Sequence, residues 1–219
     1  VLIEEARWIG ARLAAIPDDE LFPLLNVGSS TLAYRTVEQP HLQQEIFGPL
    51  SARGGKVWHT DVKPDPGVDV VGDFMQPEFV AELGRLGARS LLVANVLQHV
   101  ADPVAVATAL APIVPAGGFV VAAVPRQFPY TDDPFDNMFR PDVQELAAVF
   151  PGTELVEGAE VSAGAWGRWN PIERGRTRTR FALRLLTPFY RPRRWLLVAR
   201  QAPYVVRPAT ATVVVLRKP

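Results

Sequence analysis

Five short apolar runs punctuate the first 125 residues, and each empties into a turn. They are Pro23–Val27, Lys56–Asp61, Val68–Phe74, Ser90–Asn95 and Phe119–Val124. Runs of this length, rich in Val and Leu and bounded by Gly, Pro, Asp or Asn, read as buried strands. Between the later ones lie segments with helical spacing, Glu78–Leu86 and Ala105–Ile113. Strict alternation of strand and helix leaves few architectures open. Each crossover returns the next strand parallel to the last, so the expected fold is α/β, a doubly wound sheet with helices on both faces. Thr153–Val161 and Thr210–Leu216 add a sixth and a seventh strand.

In an open α/β sheet, ligands sit at the carboxyl ends of the strands, near the first strand's turn. Here that strand runs into Asn26-Val27-Gly28-Ser29-Ser30. Gly28 permits backbone angles closed to other residues and a close ligand approach. Ser29, Ser30 and Thr31 offer hydroxyls and exposed N–H groups. The second strand ends on Asp61, placed to hold a ribose hydroxyl pair or to cap a loop. Gly72-Asp73-Phe74 sets a carboxylate beside an aromatic ring. That pair suits an adenine amine and face, and a helix cap by Asp73 is equally open. Asn95-Val96 closes the fourth strand, and His99 follows at the same sheet edge, as a structural or a catalytic residue.

Val1–Ile16 has apolar residues at Leu2, Ile3, Ala6, Ile9, Leu13 and Ile16, the spacing of a helix that covers the sheet or the ligand mouth. With Glu4, Glu5, Arg7 and Arg12 it does not read as a secretory signal. A second short helix is expected at His41–Phe47. After Pro125, the segment Arg126–Pro141 packs carboxylates, arginines, prolines and aromatics into a loop at the carboxyl edge, the position of a substrate wall.

Charge is split along the chain. Lys and Arg total 23 and so do Asp and Glu, which argues against a general nucleic-acid binder. Yet eleven arginines fall between Arg168 and Arg207, against Glu173 alone. The insertion 163–208 therefore reads as a lid or dimer arm, with a membrane-surface role ranked lower. No cysteine is present, which suits a reducing, cytoplasmic setting, and no apolar run is long enough to span a bilayer.

Taken together, these motifs resemble the class I S-adenosylmethionine-dependent methyltransferases. The likeness covers Pro23–Phe150 plus the closing strands. Asn26-Val27-Gly28-Ser29-Ser30 resembles the family's first motif, with Asn26 in place of an acid and serines in place of later glycines. Asp61 and Gly72-Asp73-Phe74 match the ribose-side and adenine-side positions. Asn95-Val96-Leu97-Gln98-His99-Val100 is similar to Asn-Val-Leu-Glu-His-Val, and Pro115-Ala116-Gly117-Gly118 to the Pro-Gly-Gly turn.

The resemblance implies one Rossmann-like domain over 1–219, with residues 1–22 as a covering element and a seven-stranded, mostly parallel sheet whose last strand is antiparallel. It implies S-adenosylmethionine as cofactor, held by Asn26, Gly28, Ser29, Asp61, Gly72, Asp73, Phe74, Asn95 and Val96. Phe128–Pro141 resembles the loop of bacterial methyltransferases of glycan biosynthesis, with Thr131 where those carry a His. The implied reaction is O-methylation of a saccharide or glycan precursor, without metal. Asp133 and Asp136 lead as general bases, with His99 third, and Tyr130 and Arg140 are candidates for substrate contact. A lipid or secondary-metabolite acceptor, or a non-catalytic scaffold, are the alternatives. A homodimer built on the insertion completes the expectations.

Overall fold

The computed structural model describes residues 1–131, 135–165, 186, 195–196, 199 and 207–219. Seven strands form one sheet: β1 (Leu24–Val27), β2 (Val57–Asp61), β3 (Val70–Val71), β4 (Ser90–Ala94), β5 (Phe119–Pro125), β6 (Glu154–Ala165) and β7 (Pro208–Arg217). Their order is β3-β2-β1-β4-β5-β7-β6. All pairings from β3 to β5 are parallel, and β7 runs antiparallel to both neighbours. The strand order reverses direction between β1 and β4, so a crevice opens above their carboxyl ends.

Each face of the sheet carries its own core. β5 shows why: Val120, Ala122 and Val124 join one apolar cluster, while Phe119, Val121 and Ala123 join the other. Alternation along a strand sends successive side chains to opposite faces, and here both faces are buried. The first face is covered by α5 (Pro77–Gly84), α6 (Pro103–Leu110) and α7 (Val143–Ala148) through Leu83, Leu110 and Leu146. The other is covered by α1 (Ile3–Ala15), α2 (Asp18–Leu21), α3 (Pro40–Leu42) and α4 (Gly48–Ala52), with a wide helical turn over Gln43–Phe47 joining the last two.

The helix expected at the N-terminus is α1. Ala6, Ile9 and Leu13 are fully buried on its inner face, Ile9 and Leu13 each contributing roughly 1.5–3 kcal/mol. Arg53 donates to the Leu13 and Ile16 carbonyls and so satisfies the helix's C-terminal end. α1 is a packed layer of the domain. At the other end of the sheet, Asp102 caps α6 through the N–H groups of Val104 and Ala105, and Asp142 and Glu145 form a reciprocal capping box on α7. The 163–208 insertion lies largely outside the described residues. Its bases, Ala165 and Pro208, pair with each other in the sheet.

Candidate active site

The turn after β1 is built on a glycine that cannot be replaced in place. Gly28 has φ +65°, and a Cβ there would sit 2.4 Å from Val96 Cγ2, so the β1 and β4 turns pack directly on each other. The Ser29 N–H donates to the Thr60 carbonyl and the Ser30 N–H to Asp61 Oδ2, at 2.9 and 2.8 Å. Arg35, 3% exposed, donates to the Ser29, Ser30 and Gly67 carbonyls and ties the turn from behind. Burial pulls its pKa below the ordinary arginine value, against the opposing pull of Asp69 and Asp61.

Above this turn lies a cavity of about 430 Å³. Asn26, Gly28, Ser29, Asp61, Asp73, Phe74, Asn95 and Val96 all line it. Gly72 does not; it lies under the Phe79 ring, which a Cβ would meet at 2.3 Å. Asp61 accepts from Ser30 N–H and Lys63 N–H, which leaves lone pairs on a carboxylate able to take about four donors. Phe74 is buried against Phe79 and gives an apolar wall. Among the described residues, Asp73 accepts only the Met75 N–H, two residues on, in a local turn; Gln76 precedes α5 at the N-cap position. This donor set fits an adenosine: a diol acceptor, a flat apolar face and a carboxylate for an amine.

Asn26 departs from the acid at its position for a visible reason. It faces His59 across the β1–β2 register, with Asn26 Nδ2 3.0 Å from His59 Nδ1. Burial, helped by the positive Arg35, pulls the His59 pKa down to about 4. The imidazole is therefore neutral at neutral pH, and Nδ1 accepts from the Asn26 amide.

A second cavity, of about 520 Å³, opens on the far side of β4. Val1, Tyr34, Asn95 and His99 line both cavities, so the two meet at these residues. Asn95 takes φ +57°, an uncommon conformation for a non-glycine residue, and its Nδ2 donates to Glu5 Oε1 at 2.5 Å. His99 Nδ1 donates to the Phe135 carbonyl at 2.6 Å. That bond fixes the tautomer and leaves Nε2 as the nitrogen with a lone pair.

The loop expected to supply the base does something else. The Asn137 N–H donates to the Gln98 carbonyl, and Asn137 Nδ2 donates to the carbonyls of Leu97 and Val100. With the His99–Phe135 bond, these contacts staple the loop to the 97–100 turn. Asp136 is buried and accepts from the Thr131 N–H and hydroxyl, the Met138 N–H and both Arg140 terminal nitrogens. Burial alone would raise its pKa; the bonds from Arg140, Thr131 and Met138 outweigh it and hold the carboxyl below the usual aspartate value. Asp136, Arg140 and Tyr130 border neither cavity. Asp136 thus has both carboxylate oxygens engaged and lies outside the two cavities, while His99 lines both. Asp133 lies outside the described residues.

Glu5, Arg35 and Asn137 were not singled out from the chain alone. For Glu5 a signal existed: a charged residue on the apolar face of α1, four positions before Ile9. Among the described residues no group of three or more His, Asp or Glu is placed to hold a metal ion.

No protein-family model matches the chain, and no curated protein matches it by sequence. Solved structures match across nearly its whole length. A putative sarcosine dimethylglycine methyltransferase from Galdieria sulphuraria aligns at TM-score 0.58 and 10% identity, over 97% of this chain and 84% of that one. Coclaurine N-methyltransferase, bound to N-methylheliamine and SAH, aligns at TM-score 0.53 and 13% identity, over 96% and 71%. The [4+2]-cyclase SpnF aligns at TM-score 0.51 and 14% identity, over 97% and 80%. At such identities the likeness is one of fold. The chain has the class I methyltransferase fold, a seven-stranded mixed sheet with an antiparallel β7.

Proposed function

We propose that the chain is an S-adenosylmethionine-dependent O-methyltransferase acting on a hydroxyl of a saccharide or glycan precursor. The observation that carries this reading is the meeting of two cavities at His99 and Asn95, one of them lined by an adenosine-type donor set. Asp61 would hold the ribose hydroxyls, Phe74 the adenine face and Asp73 its amine, with Gly28 allowing close approach of the methionine portion. When bound, S-adenosylmethionine supplies an electrophilic methyl group on a sulfonium.

The chain's own groups bring the acceptor in line and take its proton. A sugar hydroxyl is weakly nucleophilic at neutral pH, and His99 Nε2, on the wall shared by both cavities, is the base that removes its proton. Phe135 accepts from Nδ1–H and steadies the imidazolium that forms. Placing the two reactants in adjoining cavities supplies orientation, a large share of what such a displacement needs. The cyclase of the same fold shows that fold alone does not select the chemistry.

Calorimetric titration with S-adenosylhomocysteine tests the reading. Wild type should bind, and Asp61→Ala should weaken binding by about tenfold or more, the value of a charge-assisted hydrogen bond. No binding to wild type would remove the methyl-transfer assignment.

A further inference from the structure

The first turn of α1 buries a charge that the proposed reaction leaves unused. Glu5 is 1% exposed. Its carboxylate accepts from the Leu2 N–H at 3.0 Å and from Asn95 Nδ2 at 2.5 Å, both neutral donors, and it forms no ion pair among the described residues. Burying a carboxylate is costly unless a cation compensates it, and two neutral donors do so only in part. The Leu2 bond alone would make Glu5 a helix cap. The bond to Asn95 crosses 90 residues of chain to the wall that both cavities share. A carboxylate only accepts, so the Asn95 amide turns its NH2 group to Glu5 and its oxygen away. Asn95 Oδ1 accepts from no described residue and is not sealed from solvent.

We infer that Glu5 selects the charge state of the cofactor: its carboxylate, relayed by the Asn95 amide, is the counter-charge of a sulfonium at the junction of the two cavities. This rests on the methyl-transfer reading and deepens it.

A methyl group that passes from one cavity to the other crosses their shared wall, which places the sulfonium beside Val1, Tyr34, Asn95 and His99. Glu5 borders the acceptor cavity with almost no surface of its own, so it acts by its field and not by touch. An amide with its NH2 toward an anion carries its negative end on the other side, and charge and dipole add. Opposite charges roughly 7–10 Å apart, at an effective dielectric constant of about 20, change an affinity about 10- to 100-fold. The other charged groups nearby compete weakly. Arg35 is committed to three main-chain carbonyls, and Glu38 is exposed and screened by water. The Val1 amino group donates to Gln39 Oε1, and burial pulls its pKa below the ordinary amino-terminal value. Once the methyl has left, the electron pair of the broken carbon–sulfur bond stays on sulfur, and a neutral thioether gains nothing from Glu5.

The test is calorimetric titration of the full chain with S-adenosylmethionine and, separately, S-adenosylhomocysteine, without acceptor. It is run at pH 8.5, above the ordinary amino-terminal and imidazole values of about 8 and 6.5. Glu5→Gln keeps the shape and loses the charge, whereas Glu5→Asp keeps the charge and loses reach. Glu5→Met is carried alongside as an apolar replacement should the Gln variant unfold. The expected result is a loss of S-adenosylmethionine affinity of about 10- to 100-fold in Glu5→Gln and Glu5→Met, with S-adenosylhomocysteine affinity held within about twofold. Glu5→Asp keeps the ratio of the two affinities close to that of wild type.

Equal weakening of both ligands makes Glu5 a fold residue and overturns the inference. So does a ratio unmoved by loss of the charge, as a carboxylate serving a cationic acceptor would give, or an Asp variant that behaves as the Gln variant does. In each of those cases wild type still binds S-adenosylhomocysteine and the cofactor reading survives. Failure of wild type to bind S-adenosylhomocysteine removes both.

Discussion

The two cavities share a wall but are built by different means. The proposed cofactor side draws on strand ends: Gly28 after β1, Asp61 at the end of β2, Phe74 after β3 and Asn95 after β4. Parallel register sets their spacing, so residues far apart in the chain arrive together once the sheet forms. On the proposed acceptor side, His99 stands on one short turn, 97–100, held by bonds from a loop almost forty residues on. Its geometry depends on side chains that pin main-chain carbonyls. The first kind of site tolerates changes outside its turns, whereas the second is only as good as its staples.

The largest effect should come from the residue at the join. His99→Gln removes the proposed base and should lower methyl transfer about 10²–10⁴-fold, with S-adenosylhomocysteine affinity essentially unchanged. An equal loss of cofactor binding would mean that His99 belongs to the cofactor side, and the division between the two cavities would fail. Next comes Gly28→Ala, which breaks the cofactor side at its tightest point. The added Cβ meets Val96 Cγ2 at 2.4 Å in a left-handed conformation. Stability should fall by about 1–3 kcal/mol and cofactor affinity by tenfold or more, read by denaturant unfolding and calorimetry. Wild-type behaviour would show that the β1 turn can move away from β4.

Asn137→Ala sharpens the contrast from the other side. The substitution removes the bonds to Leu97 and Val100 and frees the Phe139 N–H, at a cost of about 1–3 kcal/mol. Because Asn137 touches neither cavity, cofactor affinity should hold while kcat falls about tenfold through a displaced His99. A loss of stability with unchanged kcat would make Asn137 a fold residue only.

The same contrast explains what could be read from the chain. Strand ends were legible because short apolar runs and their terminal Gly, Asp and Asn are local features. The seven strands follow from them, while the antiparallel β7 and the set of eight residues around the first cavity came from the family resemblance. The second cavity was less legible. Asp136 carries the residue type of a base, but whether it faces a cavity or Arg140 depends on tertiary packing that periodicity does not encode. Asn137 and Glu5 act on partners 37 to 40 and 90 residues away in sequence.

The smallest expected effect concerns the Asn26–His59 pair beneath the cofactor turn. His59 titrates near 4 when folded and near 6.5 when unfolded, so between these values the unfolded chain binds more protons. Stability contributed by the neutral imidazole is therefore complete above about pH 6.5 and is lost as pH falls toward 4, by up to about 3 kcal/mol. Asn26→Asp sets a carboxylate against Nδ1 and favours the protonated ring, which raises the folded pKa toward the unfolded one. The proton difference then shrinks, and thermal unfolding across pH 4–6.5 should show a shallower slope for Asn26→Asp than for wild type. Above pH 7 the variant should be the less stable of the two, because the neutral ring no longer receives the Asn26 amide. Identical slopes would mean that the side chain at position 26 does not bear on His59 titration, which burial and Arg35 then set alone. The cofactor side would then owe its first-motif asparagine to something other than this imidazole.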